Sequence, residues 1–249
     1  GRVKKIKNFI DHILLLFNFE KKYFEKEQVS CEFVGHPLLE NKKQSKIDIN
    51  QMIGKNKALI SVFAGSRKSE INVLMPILLD FIKLMNEKYS DMTYIFHSTK
   101  EYSQLMQSLI NESNLSNCEI ISDDKIKYHI LKRSVFAVAK SGTVSLEICN
   151  AKIPSVILYK MGFINFLIVK SLVKTKYANI INFAANEEII PELLQSSCNS
   201  KNIFKYVDSF LDNPNKIKEQ VEKVQTVLNK LKTTKSSSEL ASLSLNKFL

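Results

Sequence analysis

The stretch Ile60–Glu70, ISVFAGSRKSE, decides the fold class of this chain. An apolar, β-branched run leads into a Gly-Ser turn, and the residues after the turn begin a helical pattern. Gly65 suits the turn because glycine adopts backbone angles that other residues avoid. A strand that enters a helix through a small-residue turn predicts one βα unit of a parallel sheet.

The same alternation of strand and helix continues on both sides of this stretch. Helical patterns occupy Glu70–Lys88 and Tyr102–Asn114. Apolar runs predict strands at Leu59–Phe63, Met92–Phe96, Glu119–Ser122, Val135–Ala139 and Ser155–Tyr159. Parallel strands need crossover helices on the faces of their sheet. The sequence therefore predicts an α/β fold, a Rossmann-like parallel sheet with helices on both faces.

Four segments follow from this pattern. Strand-like runs at 12–17 and 31–34 predict that residues 1–40 are the end of a first Rossmann-like domain, most of which the chain lacks. Residues 41–57 are polar and predict a linker. Residues 58–215 have the pattern of a complete second Rossmann-like domain, and residues 216–249 predict terminal helices, the last capped near Ser236–Ser238. From Glu187 onward the pattern is helical apart from turns.

The composition excludes several classes of protein. Hydrophobic residues make up 45% and charged residues 24%, which is typical of a globular protein and not of a disordered one. The net charge of +11 comes from dispersed lysines without aromatic interleaving, so a nucleic-acid partner is not predicted. The four cysteines and four histidines are scattered, which predicts buried free thiols in a reducing cytoplasm and no metal site.

Glycine is scarce, with six residues in 249, and four of the six follow or begin predicted elements. We expect these four to stand where a side chain is not tolerated; they are Gly35, Gly65, Gly142 and Gly162.

The turn at Gly65, Ser66 and Arg67 is a candidate phosphate-binding turn. Free backbone N–H groups and a helix dipole at this point favour an anion. Arg67 is one of only three arginines in a lysine-rich chain, and a guanidinium can bind phosphate oxygens in a bidentate manner. An ordinary βα turn with a solvated arginine explains the residues equally well.

A second turn of this kind follows the run Val135–Ala139. Lys140, Ser141, Gly142 and Thr143 lead into a helix that holds Glu147 one turn later. Ser141 and Thr143 could cap the helix and donate to a diphosphate, and Glu147 could accept hydrogen bonds from ribose hydroxyls. Read alone, this segment is explained by a helix cap. Two such turns on neighbouring strand ends favour a nucleotide cleft.

Two further segments have an ordinary and a functional interpretation. Met161–Val173 is very apolar and flanked by lysines, so it is either a core helix or an interfacial helix that meets lipid. Asp123 and Asp124 open a helical pattern, which favours a helix cap over a metal-binding pair.

Taken in order, these segments resemble the lipid-A-disaccharide synthase family of GT-B glycosyltransferases. The resemblance runs through RVKKI at 2–6, DHILLLF at 11–17, FVGHP at 33–37, AGSRKSEI at 64–71 and AKSGTVSLE at 139–147. It continues through ILYKMGFINFLIVKSLVKTKYANIIN at 157–182 and IIPELLQ at 189–195. Asn18, Ala64 and Ile181 stand where the family usually has proline.

The resemblance implies a reaction and its participants. A 2,3-diacylglucosamine unit passes from UDP to 2,3-diacylglucosamine 1-phosphate, without a cofactor or metal, and gives the lipid A disaccharide 1-phosphate and UDP. The enzyme would work in the cytoplasm, peripherally on the inner face of the bacterial inner membrane. Self-association is expected from the apolar residues of the last helix.

The resemblance implies that residues 1–40 are the remnant of the acceptor-side domain and that residues 58–215 are the UDP-sugar-binding domain. It also assigns the site residues. The diphosphate would be held by Gly65, Ser66, Arg67, Ser141, Gly142 and Thr143, and the ribose by Glu147. Asn182, Glu192 and Gln195 would line the nucleotide side of the cleft. Phe163, Phe166 and Leu167 would contact acyl chains, and the general base is expected in the front half that the chain lacks. The alternatives are a non-catalytic or degenerate UDP-binding remnant and another GT-B enzyme of UDP-sugars.

Overall fold

A computed structural model describes residues 2–40, 47, 49, 58–162 and 176–248. These residues divide into two compact units, one formed by Gly1–Gln44 with Thr226–Leu249 and one by Ser45–Gln225. The last segment thus clusters with the first. The domain boundaries proposed from the sequence, at 40, 57 and 215, remain predictions.

The described strands are β1 His12–Leu15, β2 Ser30–Phe33, β3 Ala58–Phe63, β4 Met92–His97, β5 Cys118–Ile121, β6 Ser134–Lys140, β7 Ser155–Tyr159 and β8 Glu192–Leu194. The described α-helices are α1 Arg2–Ile6, α2 Lys21–Glu25, α3 Lys68–Lys88, α4 Ser103–Glu112, α5 Asp124–Arg133, α6 Val144–Asn150, α7 Ile180–Ala185, α8 Ser200–Leu211, α9 Pro214–Leu231 and α10 Ser237–Leu245. Short 3₁₀ turns occupy Asn18–Glu20, Pro37–Leu39 and Gln195–Ser197.

The smaller unit contains a parallel pair of strands. β1 and β2 pair in register from His12 with Ser30 to Leu15 with Phe33. The terminal helix α10 begins as predicted, because the side chain of Ser236 accepts a hydrogen bond from the Glu239 N–H.

The larger unit is built on a sheet of six described strands, all parallel, in the order β5-β4-β3-β6-β7-β8. This is the doubly wound order in which the direction of the chain reverses between β3 and β6. All five predicted strands of this domain are present, and the predicted α/β fold class is confirmed.

The core of this unit explains why the strands form. β3 is buried from Leu59 to Phe63, and β4 is buried throughout, as strands covered on both faces require. The face of α3 that includes Ile71, Leu78 and Phe81 is fully buried against the sheet. Because both faces are covered, ligand groups can reach the sheet only at the ends of its strands.

The helical prediction after Glu187 is wrong at one place. Glu192–Leu194 forms the edge strand β8, which pairs with β7 from Ile157 with Glu192 to Tyr159 with Leu194. Three residues are too few to show a period in the sequence, and the pairing depends on β7 being beside them.

The prediction of buried free thiols holds for two of the four cysteines. All four cysteines are free, but only Cys149 and Cys198 are buried, whereas Cys31 and Cys118 are partly exposed.

Within the part of the chain that the structure describes, no helix is long and apolar enough to cross a membrane. The predicted helix at Met161–Val173 lies almost entirely outside the described residues, and so do Phe163, Phe166 and Leu167.

Candidate functional site

The two predicted turns border one cleft of about 240 Å³ at the carboxyl ends of β3, β4 and β6. This is the point where the strand order reverses, which is where open α/β sheets bind their ligands. Six of the residues proposed from the sequence line it: Gly65, Ser66, Ser141, Gly142, Thr143 and Glu147.

The first turn depends on Gly65. Its φ of +113° is one that L side chains rarely adopt, and an added Cβ would lie 2.5 Å from Glu70 Oε2. The Ser66 N–H donates to that same carboxylate oxygen over 3.1 Å. Glycine is therefore required here both by the backbone angle and by the close approach of Glu70.

Arg67 ends the first turn with a mostly exposed side chain. It is the extended residue before α3, its side chain is 77% exposed, and its Nη1 lies 3.4 Å from Glu70 Oε1. Among the described residues that line the cleft, Arg67 is not included. A phosphate contact by Arg67 stays a prediction, and it requires the side chain to turn inward.

The second turn is held by hydrogen bonds to the neighbouring strands and loops. Ser141 donates through its N–H to Leu158 O and through its hydroxyl to Ala178 O, over 2.8 and 2.9 Å. Thr143 precedes α6 without a side-chain cap bond in the described structure, so the predicted capping by Ser141 and Thr143 is wrong. Within α6, the Ser145 hydroxyl donates a hydrogen bond to Gly142 O.

Two of the four selected glycines do not meet the expectation placed on them. A Cβ at Gly142 or Gly162 would meet nothing within 4 Å, and neither has a φ in the left-handed region. Gly35 does meet it, since its φ is +84° and an added Cβ would lie 2.8 Å from Thr233 Oγ1. Gly142 nevertheless lines the cleft.

Two lysines that the sequence did not indicate also line the cleft. Lys140 Nζ lies 2.8 Å from Glu70 Oε1, and Lys127 Nζ lies 2.7 Å from Glu147 Oε2. Lys140 is the polar residue at the end of a buried strand, and this position in the sequence could have indicated a site residue. Lys127 lies on α5 and reaches the cleft only because β5 is folded beside β4.

Ion pairing shifts the pKa values of Glu70 and Lys127. Burial alone would raise the pKa of Glu70, but hydrogen bonds from Lys140 and from the Ser66 N–H hold it below its ordinary value. Burial alone would lower the pKa of Lys127, but the carboxylates of Glu147 and Asp124 raise it. The Glu70 carboxylate and the Lys127 ammonium group are therefore charged at neutral pH.

His97, at the end of β4, was also missed because isolated histidines give no spacing signal. Burial, with a smaller contribution from Lys127, lowers its pKa to about 3, so the ring is neutral at pH 7. Its Nε2 lies 3.1 Å from Ser61 Oγ, which lies 2.8 Å from Ser134 Oγ. The ring stacks on Phe63 with 4.3 Å between centroids, and both residues line the cleft.

The remaining nucleotide-side candidates hold loops together near β8. Asn182 is buried and donates to Ile190 O and Glu192 Oε1 over 2.7 and 2.8 Å. Glu192 also accepts from the Ala178 and Asn179 N–H groups. Gln195 Oε1 accepts from the Met161 N–H over 3.1 Å. The described lining of the cleft does not include Asn182, Glu192 or Gln195, and their nucleotide contacts stay predictions.

The carboxylate pair at the start of α5 acts as predicted for a helix cap. Asp123 Oδ1 accepts the Lys125 N–H over 2.8 Å, and Asp124 lies in the first turn, where a negative charge is favourable.

Comparison with known proteins places this fold and cleft in a family. A family model described as lipid-A-disaccharide synthetase matches residues 1–245. The lipid-A-disaccharide synthase of Sulfurihydrogenibium sp. (strain YO3AOP1) is 33% identical, over 93% of this chain and 63% of that protein. The same enzyme from Rickettsia prowazekii (strain Madrid E) is also 33% identical, over 89% of this chain and 58% of that protein.

Solved structures of glycosyltransferases and epimerases share the fold. The S. aureus MnaA–UDP co-structure superimposes with a TM-score of 0.68 over 95% of this chain and 60% of that chain. Its sequence identity is 13%, so the likeness concerns the fold alone. The chain spans about three fifths of the length of the relatives it matches. With the family model matched along nearly its whole length, the chain belongs to the lipid-A-disaccharide synthetase family, whose fold is the GT-B type.

Proposed function

We propose that the cleft between the two turns binds the UDP part of a nucleotide-sugar donor. The observation that carries this proposal is that both turns, at Gly65–Ser66 and Ser141–Thr143, border one cleft where the strand order reverses. S. aureus MnaA, whose co-structure contains UDP, shares this general fold.

The parent reaction that we propose is the family's transfer of 2,3-diacylglucosamine from UDP to 2,3-diacylglucosamine 1-phosphate. A hydroxyl of the acceptor would bond to the anomeric carbon of the donor while the bond from that carbon to the UDP oxygen breaks. A general base would take the hydroxyl proton, and UDP would leave with the bonding electrons. We place that base in the part of the family's length that this chain does not span.

In this proposal the cleft stabilises the departing UDP without a metal or cofactor. The N-termini of α3 and α6 supply backbone N–H groups, and Lys140 and Lys127 supply positive charge. Hydrogen-bond donors and positive charges that are fixed where negative charge develops stabilise the transition state more than they stabilise the bound nucleotide sugar.

Calorimetric titration with UDP tests the proposal on the chain itself. We expect binding that weakens about tenfold in Arg67→Ala and in Glu147→Ala, through the loss of charge-assisted hydrogen bonds. Lys201→Ala removes an exposed charge on α8 and serves as the control. A folded chain that does not bind UDP would support a degenerate remnant, and preference for another UDP-sugar in competition would support a different enzyme of this fold.

We also propose that the chain works at the inner face of the bacterial inner membrane, on its cytoplasmic side. The support is the net charge of +11 and the apolar, lysine-flanked segment Met161–Val173. Sedimentation with anionic vesicles at low salt, compared with neutral vesicles, measures this association. Equal recovery in the supernatant with both kinds of vesicle would contradict it.

A further inference from the structure

The carboxylate of Glu70 lies where an anionic ligand is expected, beside the N-terminus of α3. One of its oxygens accepts the Ser66 N–H over 3.1 Å. The other lies 2.8 Å from Lys140 Nζ and 3.4 Å from Arg67 Nη1. A backbone N–H, an ammonium group and a guanidinium group are the donors that bind phosphate oxygens in proteins.

Lys140 links the two turns of the cleft. It is the last residue of β6, directly before Ser141, and its ammonium group reaches the Glu70 carboxylate on α3. The side chains of Lys140 and Glu70 are 21% and 14% exposed, so water screens the pair only partly. In this arrangement the charge of Lys140 is neutralised by the protein itself.

The charged residues that line the cleft determine how an anionic ligand can bind there. Three carboxylates, on Glu70, Asp124 and Glu147, stand against two ammonium groups, on Lys127 and Lys140. Arg67, beside Glu70, adds a third positive charge, so each of these three cations already faces a carboxylate before a diphosphate enters, and a phosphate that binds Lys140 would lie close to the charge of Glu70. Like charges at a few ångströms repel strongly in a partly buried site, so a carboxylate must give way for the ligand to bind.

We propose that Glu70 is a placeholder for a ligand phosphate, and that Lys140 is a diphosphate-binding residue that exchanges Glu70 for the phosphate when a nucleotide diphosphate binds. This inference rests on the proposed function and adds to it the role of Glu70 and a conformational step. The Ser66 N–H and Arg67 lose the same partner in that step, which allows Arg67 to turn toward the ligand. Glu70 lies on the first turn of α3 and can move by rotating its side chain alone.

The competing interpretation is that Glu70 supports the turn permanently. A carboxylate in the first turn of a helix interacts favourably with the helix dipole, and Glu70 also orders Ser66 and Lys140. The two interpretations predict opposite effects for Glu70→Gln, which retains the size of the side chain and removes its charge.

The test is calorimetry with UDP, UMP and inorganic pyrophosphate on the unmodified chain, Glu70→Gln and Lys140→Met. We expect Glu70→Gln to bind UDP and pyrophosphate about three- to tenfold more tightly, because the competing charge is gone. We expect Lys140→Met to bind UDP about tenfold more weakly and to lose much of the preference for UDP over UMP. Asp208→Asn, on α8, removes the same charge as Glu70→Gln outside the cleft and controls for net charge.

Each outcome decides between the interpretations. Weaker UDP binding by Glu70→Gln, with thermal stability and circular dichroism unchanged, overturns the placeholder role while the proposed UDP site stands. An unchanged UDP-to-UMP preference in Lys140→Met overturns the role of Lys140, and this comparison decides alone if Glu70→Gln does not fold. If neither the unmodified chain nor Glu70→Gln binds UDP or pyrophosphate, the inference and the proposed function both fail.

Discussion

Lys127 and Glu147 form an ion pair across the cleft, with 2.7 Å between Nζ and Oε2. Lys127 lies on α5, between β5 and β6, and Glu147 lies on α6, between β6 and β7. The pair therefore forms only when the sheet has folded. Both side chains are about one quarter exposed or less, which limits screening by solvent. The pair fixes the carboxylate of Glu147 at the wall of the cleft.

A fixed carboxylate at this position predicts recognition of the ribose. We expect Glu147→Ala to reduce the preference for UDP over 2′-deoxy-UDP about tenfold, because a carboxylate that accepts hydroxyl hydrogen bonds is lost. Titration calorimetry with both ligands measures the preference. Asp80→Ala, which removes an exposed carboxylate paired with Lys83 on α3, is the control. An undiminished preference in Glu147→Ala would assign Glu147 to structure alone.

Gly65 and Gly142 are a matched pair for separating backbone strain from ligand access. We expect Gly65→Ala to lower the free energy of unfolding by about 1–3 kcal/mol, because its φ is +113° and the new Cβ meets Glu70. Gly142→Ala should leave stability unchanged, since the new Cβ meets nothing within 4 Å. Chemical denaturation measures both variants.

The same pair of variants also tests the ligand site. A Cβ at Gly142 would project into space that the ligand is proposed to use, so Gly142→Ala should weaken UDP binding without a loss of stability. Full UDP affinity in this variant would place the diphosphate away from the second turn.

His97 predicts a loss of stability in acid. Its pKa of about 3 in the fold lies below the ordinary value of 6.5, so between these pH values the unfolded chain binds a proton that the folded chain does not. The free energy of unfolding should therefore fall as pH decreases from 6.5 to 3, by at most about 1.4 kcal/mol per pH unit from this residue. His97→Gln cannot titrate and should show a shallower slope in urea denaturation across this range. Parallel slopes would contradict a neutral, buried His97.

Removal of the side-chain hydroxyl should change the free energy of unfolding in opposite directions at Tyr94 and Tyr89. The Tyr94 hydroxyl is buried in the described core without a hydrogen-bond partner, so Tyr94→Phe should raise the free energy of unfolding by about 1 kcal/mol. The Tyr89 hydroxyl donates to Asp208 and Asp212, and Tyr89→Phe should lower it by about 0.5–1.5 kcal/mol. Thermal unfolding of the two variants checks the signs. Destabilisation by Tyr94→Phe would show that its hydroxyl is satisfied.

Much of the local structure follows from the sequence because its causes are local. The apolar runs at Leu59–Phe63 and Val135–Ala139 form strands that are buried apart from Val135, and Asp123 and Ser236 cap helices. The positive φ of Gly65 was expected from the turn residues around it. Hydrophobic period, turn chemistry and capping act over a few residues, and a few residues of sequence are enough to indicate them.

What the sequence could not indicate depends on which strands become neighbours. The edge strand β8 exists because β7 lies beside it, and the pairs Lys140–Glu70 and Lys127–Glu147 exist because their strands and helices end at one cleft. The neutral state of His97 likewise arises from burial that only the packed sheet provides. The sequence alone determined the five strands β3 to β7, the two turns and the family resemblance. The tertiary structure alone decided the charges that the cleft presents, because ion pairing and burial depend on distances between segments that are far apart along the chain.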